Sequence, residues 1–194
     1  ITPPNANAGT PQALNCAVTS VTLNGSSSTG GVTYSWAGPG IVSGGTTATP
    51  TVNAPGTYTL TVTNPANGCT ATSTVSVTQT VTPPNANAGP TQLLNCTITS
   101  VALNGSSSTS GVTFSWAGPG IVSGGTTATP TVNAPGTYTL TVTNPANGCT
   151  ATATVSVTQN ITPPNANAGA TQVLTCTNTT RVLNGSSSLS LIHI

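Results

Sequence analysis

The chain repeats itself with a period of 80 residues, and that period sets the folding problem. Residues 1–80 align with residues 81–160 without a gap and are identical at 69 of 80 positions. The stretch Ser35–Thr72 recurs unchanged as Ser115–Thr152. Residues 161–188 begin a third copy, with TPPNANAG at 162–169 matching 2–9 and LNGSSS at 183–188 matching 23–28. A fixed period of this length marks a repeat architecture, so the object to fold is one unit of 80 residues, in tandem. The expected divisions are 1–80, 81–160 and a truncated third unit at 161–188. From Leu189 the match stops. Residues 189–194 read LSLIHI, the translation of the mosaic end of a transposon-based sequencing adapter. They are read as an artefact, and His193 with them, and are set aside from fold reasoning.

What the unit can do is limited by what it lacks. The 194 residues hold one Arg, one His and no Lys, Asp or Glu, where an ordinary soluble chain of this length carries roughly 50 charged groups. Mechanisms that need carboxylates are excluded: paired-acid hydrolysis, Asp-oriented triads, carboxylate sites for Ca²⁺ or Mg²⁺. Nucleic-acid binding is excluded as well, because phosphate contacts need several basic side chains. No uninterrupted apolar run of 18 residues exists, so no membrane-inserted segment is expected in this stretch. Hydroxyls take the place of charge, with 43 Thr and 20 Ser.

Those hydroxyls alternate with apolar residues at period two, the signature of strands with one buried face. Val32, Tyr34 and Trp36 share a face against Thr33 and Ser35. Tyr58, Leu60 and Val62 oppose Thr57, Thr59, Thr61 and Thr63, and Ala71, Ser73, Val75 and Val77 oppose Thr72, Thr74, Ser76 and Thr78. Shorter strands are expected at Val21–Leu23 and around Gln12–Ala17. Gly, Pro and Asn clusters such as Asn24-Gly25, Gly38-Pro39-Gly40 and Asn64-Pro65-Ala66-Asn67-Gly68 punctuate them as turns. No segment has a helical period, and dense Thr and Val disfavour one. About seven short strands per 80 residues, with frequent turn signals, predict an all-β fold: tandem seven-stranded immunoglobulin-like β-sandwiches.

The segments SVTLNGSSS (20–28), Tyr34-Ser35-Trp36 and GTYTLTVTNPANGC (56–69) resemble Ig-like domains of the polycystic-kidney-disease type. They are most similar to the tandem versions in large secreted surface proteins of gliding, Bacteroidetes-type bacteria. The family's frequent Trp-Asp-Phe-Gly-Asp-Gly segment stands here as Trp36-Ala37-Gly38-Pro39-Gly40, without either acid. The resemblance spans both full copies and the start of the third. It implies a spacer or adhesive role outside the cell rather than catalysis.

Cys16 and Cys69 recur as Cys96 and Cys149, 53 residues apart each time, and Cys176 opens a third such pair. A Zn²⁺ site needs four N or S ligands, and a copy offers two thiols and no histidine. The expectation is a disulfide within each copy, Cys16 to Cys69 and Cys96 to Cys149, formed in an oxidising compartment. Cys176 is left unpaired. Such a loop closure stabilises a small domain by roughly 4 kcal/mol in the chain-entropy model.

Every aromatic of the chain, Tyr34, Trp36, Tyr58, Phe114, Trp116 and Tyr138, falls in phase with an apolar face. Core packing is expected for all six, against an alternative in which they stack on sugars. The Thr-rich outer faces have a binding alternative too, toward glycan, mineral or ice. Thr is also simply the polar residue best suited to an exposed strand, and sheet twist works against lattice matching. The serines of Ser26-Ser27-Ser28 have no base to activate them and, like the glycosylation-type tripeptide Asn24-Gly25-Ser26, are read as turn chemistry. Arg181 stands where Val21 and Val101 point inward, which the repeat does not explain.

The functional expectation is therefore positional. The junctions Gln79-Thr80-Val81-Thr82-Pro83-Pro84 and Gln159-Asn160-Ile161-Thr162-Pro163-Pro164 leave almost no flexible residue between units, and Pro-Pro favours stiff, extended backbone. A stiff extracellular stalk or fibre-forming spacer follows, with no cofactor, and with neighbouring repeats of the same chain as its first partners. Lateral self-association is expected from uncharged faces. The alternatives are an adhesive module that binds a glycan or surface ligand, and a spacer within a secreted multidomain enzyme.

Overall fold

A computed structural model describes residues 2–187 of the chain. The expected adapter tail 189–194, with His193, lies outside the described residues. Among those residues there is no helix, and the first unit forms seven strands: β1 (Gln12–Asn15), β2 (Val21–Thr22), β3 (Thr33–Ala37), β4 (Ile41–Ser43), β5 (Thr51–Val52), β6 (Gly56–Thr63) and β7 (Thr70–Thr80). They lie in two sheets, ordered β1-β7-β6-β3 and β2-β5-β4. The second unit repeats the arrangement with β8 (Gln92–Asn95), β9 (Val101–Ala102), β10 (Thr113–Ala117), β11 (Ile121–Ser123), β12 (Thr131–Val132), β13 (Gly136–Asn144) and β14 (Cys149–Asn160). These are two Ig-like β-sandwiches in tandem.

The period-two pattern fixes which side chains meet. In β6, Tyr58, Leu60 and Val62 are fully buried while the intervening Thr side chains are not. Val75 and Val77 of β7, Leu14 of β1 and Trp36 of β3 complete that layer, and Leu23 and Val52 close it from the second sheet. The second core is built from the corresponding residues. Tyr34 and Phe114 sit half-buried at the margins of the two cores.

Polar atoms carried inward by the aromatics find backbone partners, as burial requires. The Trp36 indole Nε1 donates to the Thr47 carbonyl at 3.0 Å, and Trp116 to Thr127 at 3.1 Å. The Tyr58 hydroxyl lies between the carbonyl oxygens of Pro39 and Ala54, 2.7 Å from the latter, and Tyr138 sits likewise between Pro119 and Ala134. This Tyr pins the loop before its own strand, the arrangement known in Ig-like sandwiches as a tyrosine corner.

The strand β1 runs parallel to β7, with Gln12 opposite Val77 and Asn15 opposite Thr80. Its far end therefore lies beside the exit of the chain from the sandwich. The hairpin turn between β6 and β7 lies at the opposite pole, beside the entry, where the Asn67 side-chain amide donates to the Thr2 carbonyl at 3.2 Å. The segment before β1 is anchored by Asn7 and Ser26, which exchange backbone hydrogen bonds of 3.0 and 2.8 Å. Asn5 Oδ1 accepts from the Ser28 amide at 2.7 Å. Asn167 and Ser186 pair in the same way in the third copy, whose residues are otherwise exposed. There Arg181 lies in the open and donates from Nε to the Val173 carbonyl at 3.1 Å.

Candidate functional site

The chemically distinctive place in the molecule is the joint between the two sandwiches. A disulfide joins Cys16 to Cys149, with Cα atoms 5.0 Å apart and a sequence separation of 133. Cys69, Cys96 and Cys176 are free. The within-copy pairs Cys16–Cys69 and Cys96–Cys149 expected from spacing do not form. The reason is the polarity of β1. Cys16 follows Asn15, which sits opposite Thr80, whereas Cys69 precedes Thr70 at the other end of β7. Eleven or so residues of extended strand, at about 3.3 Å each, separate the two by roughly 35 Å. A disulfide requires Cα atoms within about 7 Å. The cysteine at the exit pole of one unit instead meets the cysteine at the entry pole of the next.

Each half of the joint is held by its own turn. The Asn15 side chain accepts from the amides of Ala17 at 2.9 Å and Val18 at 2.7 Å, which turns the chain and presents Cys16. On the other side, the Gly148 amide donates to the Asn144 carbonyl at 2.8 Å and the Cys149 amide to Asn147 Oδ1 at 3.0 Å. The halves then bind each other. The Cys16 amide donates to the Asn147 carbonyl at 3.0 Å across the joint. The Asn147 side chain donates to the Thr82 carbonyl at 2.9 Å and so ties the turn to the linker.

The sequence of this turn is the same in both copies, so the joint can be compared with its own unoccupied state. Asn147 and Cys149 are buried, at 6% and 1% exposure, while Asn67 is exposed and Cys69 half-exposed. A methyl group on Gly148 would fall 2.5 Å from Ala17 Cβ, whereas nothing lies within 4 Å of the same position on Gly68. Both glycines have φ of +69°, which the turn itself demands; the close approach is a second demand, made only at the joint.

The outer sheet face offers a different kind of surface. Antiparallel register places Thr33, Thr63 and Thr70 in one row across β3, β6 and β7, and Ser35, Thr61 and Thr72 in the next. The second sandwich repeats both rows with Thr113, Thr143, Thr150 and Ser115, Thr141, Thr152. Four of the six aromatics contribute nothing to it, since Tyr58 and Tyr138 are fully buried and Trp36 and Trp116 are 6% exposed; Tyr34 and Phe114 are half-buried and pack against the cores. Burial also pushes the phenols of Tyr58 and Tyr138 above their ordinary range.

No family model matches the chain, and no curated protein matches it. Among solved structures it is similar to an I-band fragment of titin, I67–I69, at 18% identity and a TM-score of 0.40, over 84% of this chain and 68% of that one. The three N-terminal domains of the highly immunogenic outer capsid protein of bacteriophage RB49 align at 18% identity and a TM-score of 0.40, over 89% of this chain and 62% of that one. The immunoglobulin domains 1–5 of Sidekick-1 align at 13% and 0.37, over 85% and 40%. The strand order and register above, rather than these distant likenesses, define the fold: an array of Ig-like repeats joined by a disulfide.

Proposed function

We propose that the chain is a non-catalytic structural array of an extracellular bacterial surface protein, acting as a stiff spacer. The observation that carries this reading is the Cys16–Cys149 bridge. It adds a second covalent connection at the place where the backbone itself crosses from one sandwich to the next. A single connection leaves neighbouring domains free to swing; two, with Asn147 hydrogen-bonded to both sides, remove the hinge. The bridge also supports an oxidising location. The absence of Asp, Glu and Lys leaves the exposed hydroxyl faces hydrated independently of pH and salt.

Small-angle scattering of the chain, oxidised and reduced, tests the spacer. Two sandwiches in line should span about 70 Å, and reduction should broaden the distance distribution while both domains stay folded. A compact, bent pair in the oxidised protein would overturn it. The in-register Thr rows favour a second reading, adhesion to a neutral glycan through the outer face. Glycan-array binding that is lost on replacing Thr61 and Thr141 by Ala would support that reading, and no binding would leave the spacer alone.

A further inference from the structure

We propose that the Cys16–Cys149 bridge is the repeating joint of the array, and that Cys96 and Cys69 are the open exit half and entry half of that same joint. The partner each takes is the complementary pole of another repeat. This goes beyond the spacer reading and does not depend on what the array holds.

The argument is geometric. Cys96 occupies the turn that presents Cys16 one repeat earlier, since Asn95 accepts from the amides of Thr97 at 2.9 Å and Ile98 at 2.7 Å. Asn95 also keeps the backbone bond of its amide to the Ile98 carbonyl, 2.9 Å, as Asn15 does to Val18. Cys69 occupies the turn of Cys149, with the Gly68 amide on the Asn64 carbonyl at 2.9 Å and its own amide on Asn67 Oδ1 at 3.0 Å. Both open halves are thus already in the shape that the closed joint uses. Both thiols are accessible, Cys96 exposed and Cys69 partly so. Two residues of the exit turn differ, Thr97 for Ala17 and Ile98 for Val18, and both are compatible with closure. The glycine opposite Ala17 approaches its Cβ, backbone N and Cα, atoms that Thr97 also has. Nor can an open half be satisfied from within its own unit, because the poles lie about 35 Å apart.

Closure needs an oxidant, and a low-molecular-weight disulfide such as oxidised glutathione supplies it. The thiolate of one half attacks that disulfide and releases one small thiol. The thiolate of the other half then attacks the mixed disulfide and releases the second. Two electrons pass from the paired cysteines to the small disulfide, and each cysteine gives up its proton.

The test completes the third copy by joining the sequence of residues 29–80 after residue 188, in a chain that also carries Cys69→Ser. The protein is refolded in a glutathione redox buffer, alkylated, and cut without reduction by chymotrypsin, since Arg181 is the one tryptic site. Peptides containing Asn95-Cys96-Thr97-Ile98 are distinct from those of Cys16 and Cys176. The proposal expects Cys16 bridged to Cys149, Cys96 bridged to the new copy's cysteine, and Cys176 alkylated. A bridge from Cys176 to the new cysteine, or alkylated Cys96, overturns it. A second measurement needs no added copy: in the 194-residue chain, Cys16→Ser should raise alkylation of Cys149 from almost none to complete. A Cys96–Cys149 bridge within a single chain there, seen in the monomer fraction, would overturn the proposal. Neither readout depends on whether the array is straight, so the joint and the spacer fail separately.

Discussion

Tyr58 and Tyr138 concentrate, in one side chain per repeat, most of what a residue can do for this fold. Each ring fills the core, and each hydroxyl lies between a carbonyl of the turn after β3 or β10, Pro39 or Pro119, and one of the loop before its own strand, Ala54 or Ala134. Replacing Tyr138 by Phe keeps the ring and strands those carbonyls, and should destabilise the second sandwich by about 1–2 kcal/mol in denaturant titration. The same residue sets the pH response. Asp and Glu are absent, so stability should stay level through the acid range around pH 4 where carboxylates titrate. The folded phenols titrate above the ordinary value of 10.0 because they are buried. Their contribution is therefore whole below that value. As pH rises past it, the unfolded chain loses protons that the fold retains, and stability falls. Tyr138→Phe should shallow the alkaline decline, which thermal melts across the range would measure. The exchange of Ser73 for Ala153 shows a gentler trade: the Ser73 Oγ that accepts from the Ala8 amide at 3.2 Å is replaced by a methyl packed into the second core.

Among the elements, the long strands follow from their alternation, and β1 and β2 form where the shorter strands are expected, at Gln12–Asn15 and Val21–Thr22; β4 and β5 do not follow from the sequence. β3, β6 and β7 lie side by side in one sheet, and the apolar phase of Val32–Trp36, Tyr58–Val62 and Ala71–Val77 turns one face of each toward the core. β4 and β5 carry two or three residues each, too few for a period to show. They exist because Ile41 and Val52 face each other across a ladder that only the folded sheet provides. The turn Asn24-Gly25 is a related case. Its glycine reads as backbone punctuation, yet its φ is not of the left-handed kind; a side chain there would fall 2.6 Å from Trp36 Cζ2. The strand β3 thus packs its indole onto the bare backbone that follows β2. Gly105→Ala, the same site beneath Trp116, should cost about 1–3 kcal/mol by overpacking. A red shift of Trp116 emission in a Trp36→Phe background would accompany it as the indole is pushed outward.

At the scale of the whole molecule, identical sequences have different fates according to what stands beside them. In the turn Asn144–Cys149, Asn147 and Cys149 are buried, whereas in its copy at Asn64–Cys69 Asn67 is exposed and Cys69 half-buried. Leu14 and Leu94 are 1% and 0% exposed, while their counterpart Leu174, with no second sheet over it, is 61% exposed. The bridge lies outside both cores, so the loop-closure stabilisation expected for a within-copy disulfide goes to docking rather than to either fold. Cys16→Ser should accordingly leave the unfolding midpoints of the two sandwiches almost unchanged. It should speed hydrogen exchange at the backbone amide of position 16, which in the native chain donates to the Asn147 carbonyl. A large drop in either midpoint would show that the bridge supports a core after all.

The sequence by itself determined the all-β class, the 80-residue unit and the inward phase of Trp36, Leu60, Val75 and their repeats, because alternation and repetition are local properties of a chain. It also removed carboxylate-based chemistry by leaving out Asp and Glu. The pairing of the cysteines was decided only by the tertiary structure. Spacing along the chain joins Cys16 to Cys69, but the parallel course of β1 beside β7 carries these two to opposite ends of the sandwich. Distance in space, and not separation in sequence, governs which thiols can meet.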